Sequence, residues 1–106
     1  MSKRSESAAE VFSALGDATR LSLVTKLGAR PQSATALADG SKVTRQAIVK
    51  HLQVLEGAGL VKHEKSGREV LYALEAKRLH EARDFLDAVS EHWDRAIERL
   101  RDMVED

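Results

Sequence analysis

The side chains best equipped for chemistry are Arg45, Gln46, Lys50 and Gln53, long polar donors spread along the run from Thr44 to Leu55. Ile48, Leu52 and Leu55 recur at helical spacing and form an apolar stripe, which leaves those donors on the other side of the same helix. A helix that lies in a DNA major groove needs such donors, because they reach base edges and phosphates. Arginine suits guanine and glutamine suits adenine, so Arg45 and Gln46 are the candidate base readers, and Lys50 suits a phosphate. Thr44 can cap the helix start with its hydroxyl and stands with the candidate DNA contacts. Gly57 and Gly59 supply the stop.

Three more residues join the candidate DNA set. Lys65 and Arg68 flank Ser66-Gly67 between two strand-like runs, where a basic hairpin tip would meet phosphates or the minor groove. His51 has two open readings: a hydrogen bond to a phosphate, or a structural histidine packed against the turn. As histidine changes charge near neutral pH, a titrating role is a third. His63, within a strand-like run, reads as a surface residue. Nothing has the spacing of an enzyme site: there is no cysteine nucleophile, no glycine-rich phosphate loop and no His-Glu-x-x-His. No cofactor is expected.

The elements that must hold these residues follow from periodicity and punctuation. Residues 1–7 are polar and read as a tail. Val11, Phe12 and Leu15 lie at helical spacing, and Asp17 then caps a helix from Ala18 to Leu27 with Leu21, Leu23, Val24 and Leu27 as its apolar positions. Gly28 and Pro31 mark a turn, Ser33 starts a short helix through Ala38, and Asp39 to Val43 turns into the Thr44 helix. A short helix, a turn and a longer basic helix make a helix-turn-helix. Leu60 to Glu64 and Glu69 to Leu74 then read as strands, with Gly67 providing the positive φ of a tight hairpin. From Lys77 onward Leu79, Ala82, Leu86, Val89, Trp93, Ile97, Leu100 and Val104 alternate at three- and four-residue steps, with Phe85 and Met103 alongside. The expected fold is mainly α with a two-stranded β-wing: a winged helix-turn-helix over 8–76, its first helix shared with the dimer interface, and a dimerisation helix over 77–106.

The apolar seam of that last helix is too long for one small domain to cover. Pairing it and the first helix across a two-fold axis would bury Val11, Phe12, Leu15, Leu86, Val89, Trp93, Ile97 and Leu100 and make a homodimer. The charge pattern agrees with such a division. The 106 residues carry no net charge, yet Gly40 to Arg68 holds six bases against two acids, and Glu81 to Asp106 holds nine acids against four bases. One face suits a polyanion and the far end repels it. No apolar run reaches membrane-spanning length and Met1 to Ser7 lacks the apolar core of a signal peptide, so a cytoplasmic protein without a membrane partner is expected.

Over roughly residues 8 to 104 the chain resembles the ArsR/SmtB type of winged-helix bacterial repressor. The resemblance rests on three stretches. The first is Ala14-Leu15-Gly16-Asp17-Ala18-Thr19-Arg20-Leu21. The second runs from Arg45 to Leu52 and on through Leu55, Ala58, Gly59, Leu60 and Val61. The third is Gly67-Arg68 leading to Leu71-Tyr72. What it implies is a homodimer joined by terminal helices, double-stranded operator DNA as partner, and repression relieved by an effector. The chain departs from the metal-sensing members. Ser33 and Thr35 stand where one family site has a Cys-x-Cys pair, and hydroxyls do not replace thiolates for a soft metal. Arg78 and Arg95 stand where a second site on the last helix has ligands beside His80 and His92. The turn slot often filled by glycine is Lys42, with Gly40 two residues earlier.

The leading expectation is a dimeric sequence-specific DNA-binding repressor that blocks a promoter and is released by an unidentified small-molecule effector. Phe12, Phe85, Trp93 and Ile97 are candidate walls of an effector pocket. A winged-helix protein-interaction module without specific DNA binding is the alternative, against which the basic Arg45/Lys50 face argues.

Overall fold

Asp17, Ser33 and Thr44 each start a helix by the same device. In each case a side-chain oxygen accepts from the backbone N–H three residues on, at Arg20, Ala36 and Ala47, with all three distances 3.1 Å. The computed structural model describes residues 3–105. Its elements are α1 (Lys3–Leu15), α2 (Ala18–Leu27), β1 (Gln32–Ser33), α3 (Ala34–Ala38), α4 (Arg45–Gly57), β2 (Val61–Ser66), β3 (Glu69–Leu74) and α5 (Ala76–Glu105).

Two expectations need correction here. The sheet has three antiparallel strands in the order β1-β3-β2, not two. Gln32 and Ser33 pair with Tyr72 and Leu71, a two-residue strand too short to show any alternation in sequence. And α1 begins at Lys3, so residues 3–7 are helix and not tail. The sequence hid it because a run without apolar residues carries no helical periodicity to read. Met1, Ser2 and Asp106 lie outside the described residues.

The core follows the periodicity except at Leu21, an expected apolar position of α2 that is 52% exposed. Leu23 and Leu27 of α2, Leu37 of α3, Ile48, Leu52 and Leu55 of α4, and Leu60 and Val61 entering the wing are all buried. Burying each large aliphatic side chain favours folding by about 1.5–3 kcal/mol. Val11 and Ala14 bring α1 onto this core, and Ala82 brings the start of α5. Arg78 adds a polar tie between the terminal helices, donating to Ser7 Oγ at 3.1 Å and reaching Glu10 Oε2 at 3.4 Å.

The end of α4 sets the angle at which the wing departs. Leu60 N–H bonds to Leu55 C=O at 3.0 Å and Gly59 N–H to Glu56 C=O at 2.9 Å, which is the Schellman arrangement. Gly59 takes φ +76° and sits against the Arg78 side chain, so it alone makes the stop, while Gly57 is the last residue of the helix. At the hairpin tip Ser66 pairs with Glu69, leaving Gly67-Arg68 as a two-residue loop with Gly67 at φ +63°. Glycine at the first central position is what a II′ turn requires. In the turn between α3 and α4 the positive φ falls on Gly40, not on Lys42.

Candidate nucleic-acid interface

Arg45, Gln46, Lys50 and Gln53 are exposed along one side of α4, while Ile48, Leu52 and Leu55 on the other are fully buried. Thr44 anchors the start of the row, its hydroxyl committed to Ala47 N–H. The helix is thus fixed at both ends, by the Thr44 cap and the Gly59 stop, with its polar side outward. Arg45 is further held: its Nε donates to Thr35 Oγ1 of α3 at 3.1 Å.

Across from this row stands the wing. A cleft of about 320 Å³ lies between the starts of α3 and α4 and strand β3, with Arg45 and Arg68 among its lining residues. Two arginines thus line one opening, with Ser33, Thr35, Tyr72 and the acidic Glu69 as its other polar residues. Lys65 lies on β2 opposite Val70 and is exposed, one strand beyond the cleft. The structure therefore brings Arg45 and Arg68 to one cleft, leaves Thr44, Gln46 and Lys50 exposed at the start and along the helix that carries Arg45, and sets Lys65 one strand beyond.

His51 does not join them. Its ring is only 24% exposed and lies beside the start of α2, with Nδ1 3.2 Å from Arg20 Nη1 and 3.9 Å from Asp17 Oδ1. A guanidinium only donates, so in this contact His51 Nδ1 is the acceptor. Arg20 also donates from Nε to the Ala14 carbonyl, joining the end of α1 to this group. The contacts of Nδ1 favour the structural reading of His51 over the phosphate contact, because that nitrogen already faces Arg20 and Asp17 inside the fold. The Asp17 carboxyl is held below its ordinary pKa, first by the Arg20 backbone N–H it accepts and then by the nearby Arg20 guanidinium. Asp17 and Arg20 are legible in the sequence only as a cap and its follower, because His51 lies 31 positions away from Arg20.

His63 also gains a partner that its strand position does not reveal. Its Nδ1 pairs with Glu56 Oε1, bridging the last turn of α4 to β2, and its ring stands 5.9 Å from that of Tyr72.

The proposed interface residues divide. Val11 is fully buried within the protomer and offers a partner no surface, which corrects its place in that set. Phe12 and Leu15 are half-buried against the core, and Phe12 packs on Phe85 with ring centroids 6.4 Å apart. Leu86, Trp93, Ile97 and Leu100 are exposed on α5, Trp93 by 62%, and Val89 is half-buried. Trp93 and Ile97 lie two and more turns beyond Phe85, so the four aromatic and aliphatic pocket walls do not enclose one cavity in a single chain. Leu21 and Val54 are exposed apolar residues outside that set.

Ser33, Thr35 and Arg78, at positions the resemblance assigns to metals, have other partners within the fold. Ser33 Oγ caps α3 and Thr35 Oγ1 accepts from Arg45, so both hydroxyls are already engaged. Arg78, two residues before His80, is committed to Ser7 and Glu10.

A helix-turn-helix domain family matches residues 15–64, which span α2 through most of β2. Over 92 residues the chain is 36% identical to the HTH-type transcriptional repressor SmtB of Mycobacterium tuberculosis, covering 87% of this chain and 67% of that protein. It is 39% identical over 66 residues to a SmtB homolog of Synechocystis, covering 62% of this chain and half of the relative. Its fold superposes on an ArsR-like transcriptional regulator from Rhodococcus sp. RHA1 with a TM-score of 0.80, 39% identity and 92% of each chain covered.

Proposed function

Because the chain belongs to the ArsR/SmtB family of DNA-binding winged helix-turn-helix transcriptional regulators, we propose that it works as a homodimeric repressor that reads an operator through α4 and the wing. One observation carries this reading: Arg45, Gln46, Lys50 and Gln53 form an exposed row on a doubly capped helix, and Arg68 of the wing faces the same cleft as Arg45. In a major groove, Arg45 and Gln46 would read base edges while Lys50, Lys65 and Arg68 neutralise phosphates. Sequence preference then comes from the start of α4, and most of the affinity from counterion release.

A homodimer is supported by the uncovered stripe on α5. With Leu86, Trp93, Ile97 and Leu100 paired to a second copy, two α4 helices can address successive major grooves, roughly 34 Å apart. Occupancy of a promoter excludes polymerase sterically. Release requires a ligand or partner that binds the DNA-competent and incompetent arrangements with different affinity. The commitments of Ser33, Thr35 and Arg78 argue that this signal is not a metal at the family's known positions.

The test is fluorescence anisotropy of the protein on labelled DNA from upstream of its own gene, with a scrambled duplex and a salt titration. Saturable binding that favours the native duplex, and that Arg45→Ala/Gln46→Ala abolishes, is the expected result. Equal binding to both duplexes would remove sequence reading, and no binding at low salt would remove the DNA partner.

A further inference from the structure

We infer that Thr35 is a positioning residue for base reading: its hydroxyl fixes the plane of the Arg45 guanidinium and thereby selects how that group can meet a base. The inference rests on the proposed operator-reading function and deepens it. Arg45 is the first helical residue of α4 and is exposed, a position from which a long side chain would ordinarily sweep many rotamers. Instead its Nε donates to Thr35 Oγ1 at 3.1 Å, across the turn that separates α3 from α4.

The choice of atom matters. A guanidinium can present either its distal pair of nitrogens or its side edge, which includes Nε, to a two-acceptor partner. With Nε taken by Thr35, the side edge is closed and the distal Nη1/Nη2 pair, which has no hydrogen-bond partner among the described residues, is the edge left for a ligand. That pair matches the O6 and N7 acceptors of guanine in the major groove. The choice of acceptor matters as well. A hydroxyl is neutral, so it orients the arginine without cancelling the charge that draws it to DNA, as a carboxylate would. Glu69 lines the same cleft, yet none of the ion pairs among the described residues involves Arg45. Thr35 itself is placed by its neighbour: Ser33 caps α3, and the first turn of that helix carries Thr35 toward α4. Ordering of the arginine is thus completed on folding and is not charged against DNA binding.

Selection from a randomised duplex pool, sequenced after binding to the whole chain, tests this directly. It would be run for wild type, Arg45→Lys, Thr35→Val and Thr35→Ser, each with a thermal melt and a salt titration on the selected duplex. Wild type should enrich guanine at one position per half-site, and Arg45→Lys should lose that enrichment. Thr35→Val, which keeps the shape but has no acceptor, should weaken the preference at that position by about three- to tenfold. Its other positions, its melt and its salt slope should be unchanged, and Thr35→Ser should restore the preference. A Thr35→Val profile identical to wild type would overturn the positioning role. So would a uniform loss across positions accompanied by a lower melting temperature, because a structural defect alone would then explain it. A wild-type pool with no enriched sequence would overturn the operator-reading function itself, which separates that failure from this one.

Discussion

At the scale of single residues, the group Asp17, Arg20 and His51 shows how α4 is held from behind. Asp17 caps α2, Arg20 reaches the α1 carbonyl at Ala14, and His51 brings α4 to both. The Asp17 carboxyl titrates below its ordinary value in the folded chain. Its ionised form is therefore favoured by folding: the contribution is fully present above about pH 4, the unfolded value, and is lost as pH falls through the lower folded value. Asp17→Asn keeps a cap oxygen but cannot ionise. Its melting temperature should lie below that of wild type at pH 7, and the two should converge in acid. A gap that persists unchanged to pH 2 would assign the effect to the cap alone.

At the scale of elements, helix α4 and the wing can be probed separately. Leu52 is fully buried beneath α4, so Leu52→Ala should cost about 2–5 kcal/mol in urea unfolding. Lys65 and Arg68 have no such role in the core, so Lys65→Ala/Arg68→Ala should leave stability nearly intact. It should instead flatten the dependence of DNA affinity on salt, reducing the logarithmic slope by about one for each phosphate no longer neutralised. The helices are legible in the sequence because their caps and stripes are local: Asp17, Ser33, Thr44 and the buried Ile48, Leu52 and Leu55 lie within a few residues of what they specify. The two-residue strand β1 is not legible, because Gln32 and Ser33 become strand only through partners Tyr72 and Leu71 far along the chain. The pairings of Arg45 with Thr35, of Arg20 with His51 and of Glu56 with His63 are hidden because each crosses between elements, where no spacing rule connects the partners. Val11 fails differently. The stripe on α1 is apolar as its spacing implies, but a stripe does not say whether its cover comes from the same chain or another.

At the scale of the whole molecule, α5 is the dominant feature. Its 30 residues run about 45 Å, and the chain extends 68 Å along its long axis against 29 and 22 Å across. The first turns pack on α1 through Phe85 and Ala82, and the remainder carries exposed Trp93, Ile97 and Leu100 among acidic residues. Trp93→Glu/Leu100→Glu should yield monomers by analytical ultracentrifugation and lose most affinity for a two-half-site duplex, while the melt of the wing and core persists. A variant that stays dimeric would place the interface elsewhere. Excess zinc should leave the anisotropy of the DNA complex unchanged, since Ser33, Thr35 and Arg78 are engaged within the fold. Zinc-driven release would require ligands other than these.

Ser33 belongs at once to a strand and to a helix: it pairs with Leu71 in the sheet and caps α3 with its hydroxyl. No linker residue separates the wing from the helix that leads into α4, so there is no joint at which one could swing relative to the other. Kinematically, the two behave as a single plate. In the proposed dimer, a releasing ligand would have rotation and translation of whole plates to work with, pivoting about the terminal helices. Fluorophores on the wing and on α3 of one chain should hold a constant separation with and without DNA, whereas the same pair placed across two chains should report the change.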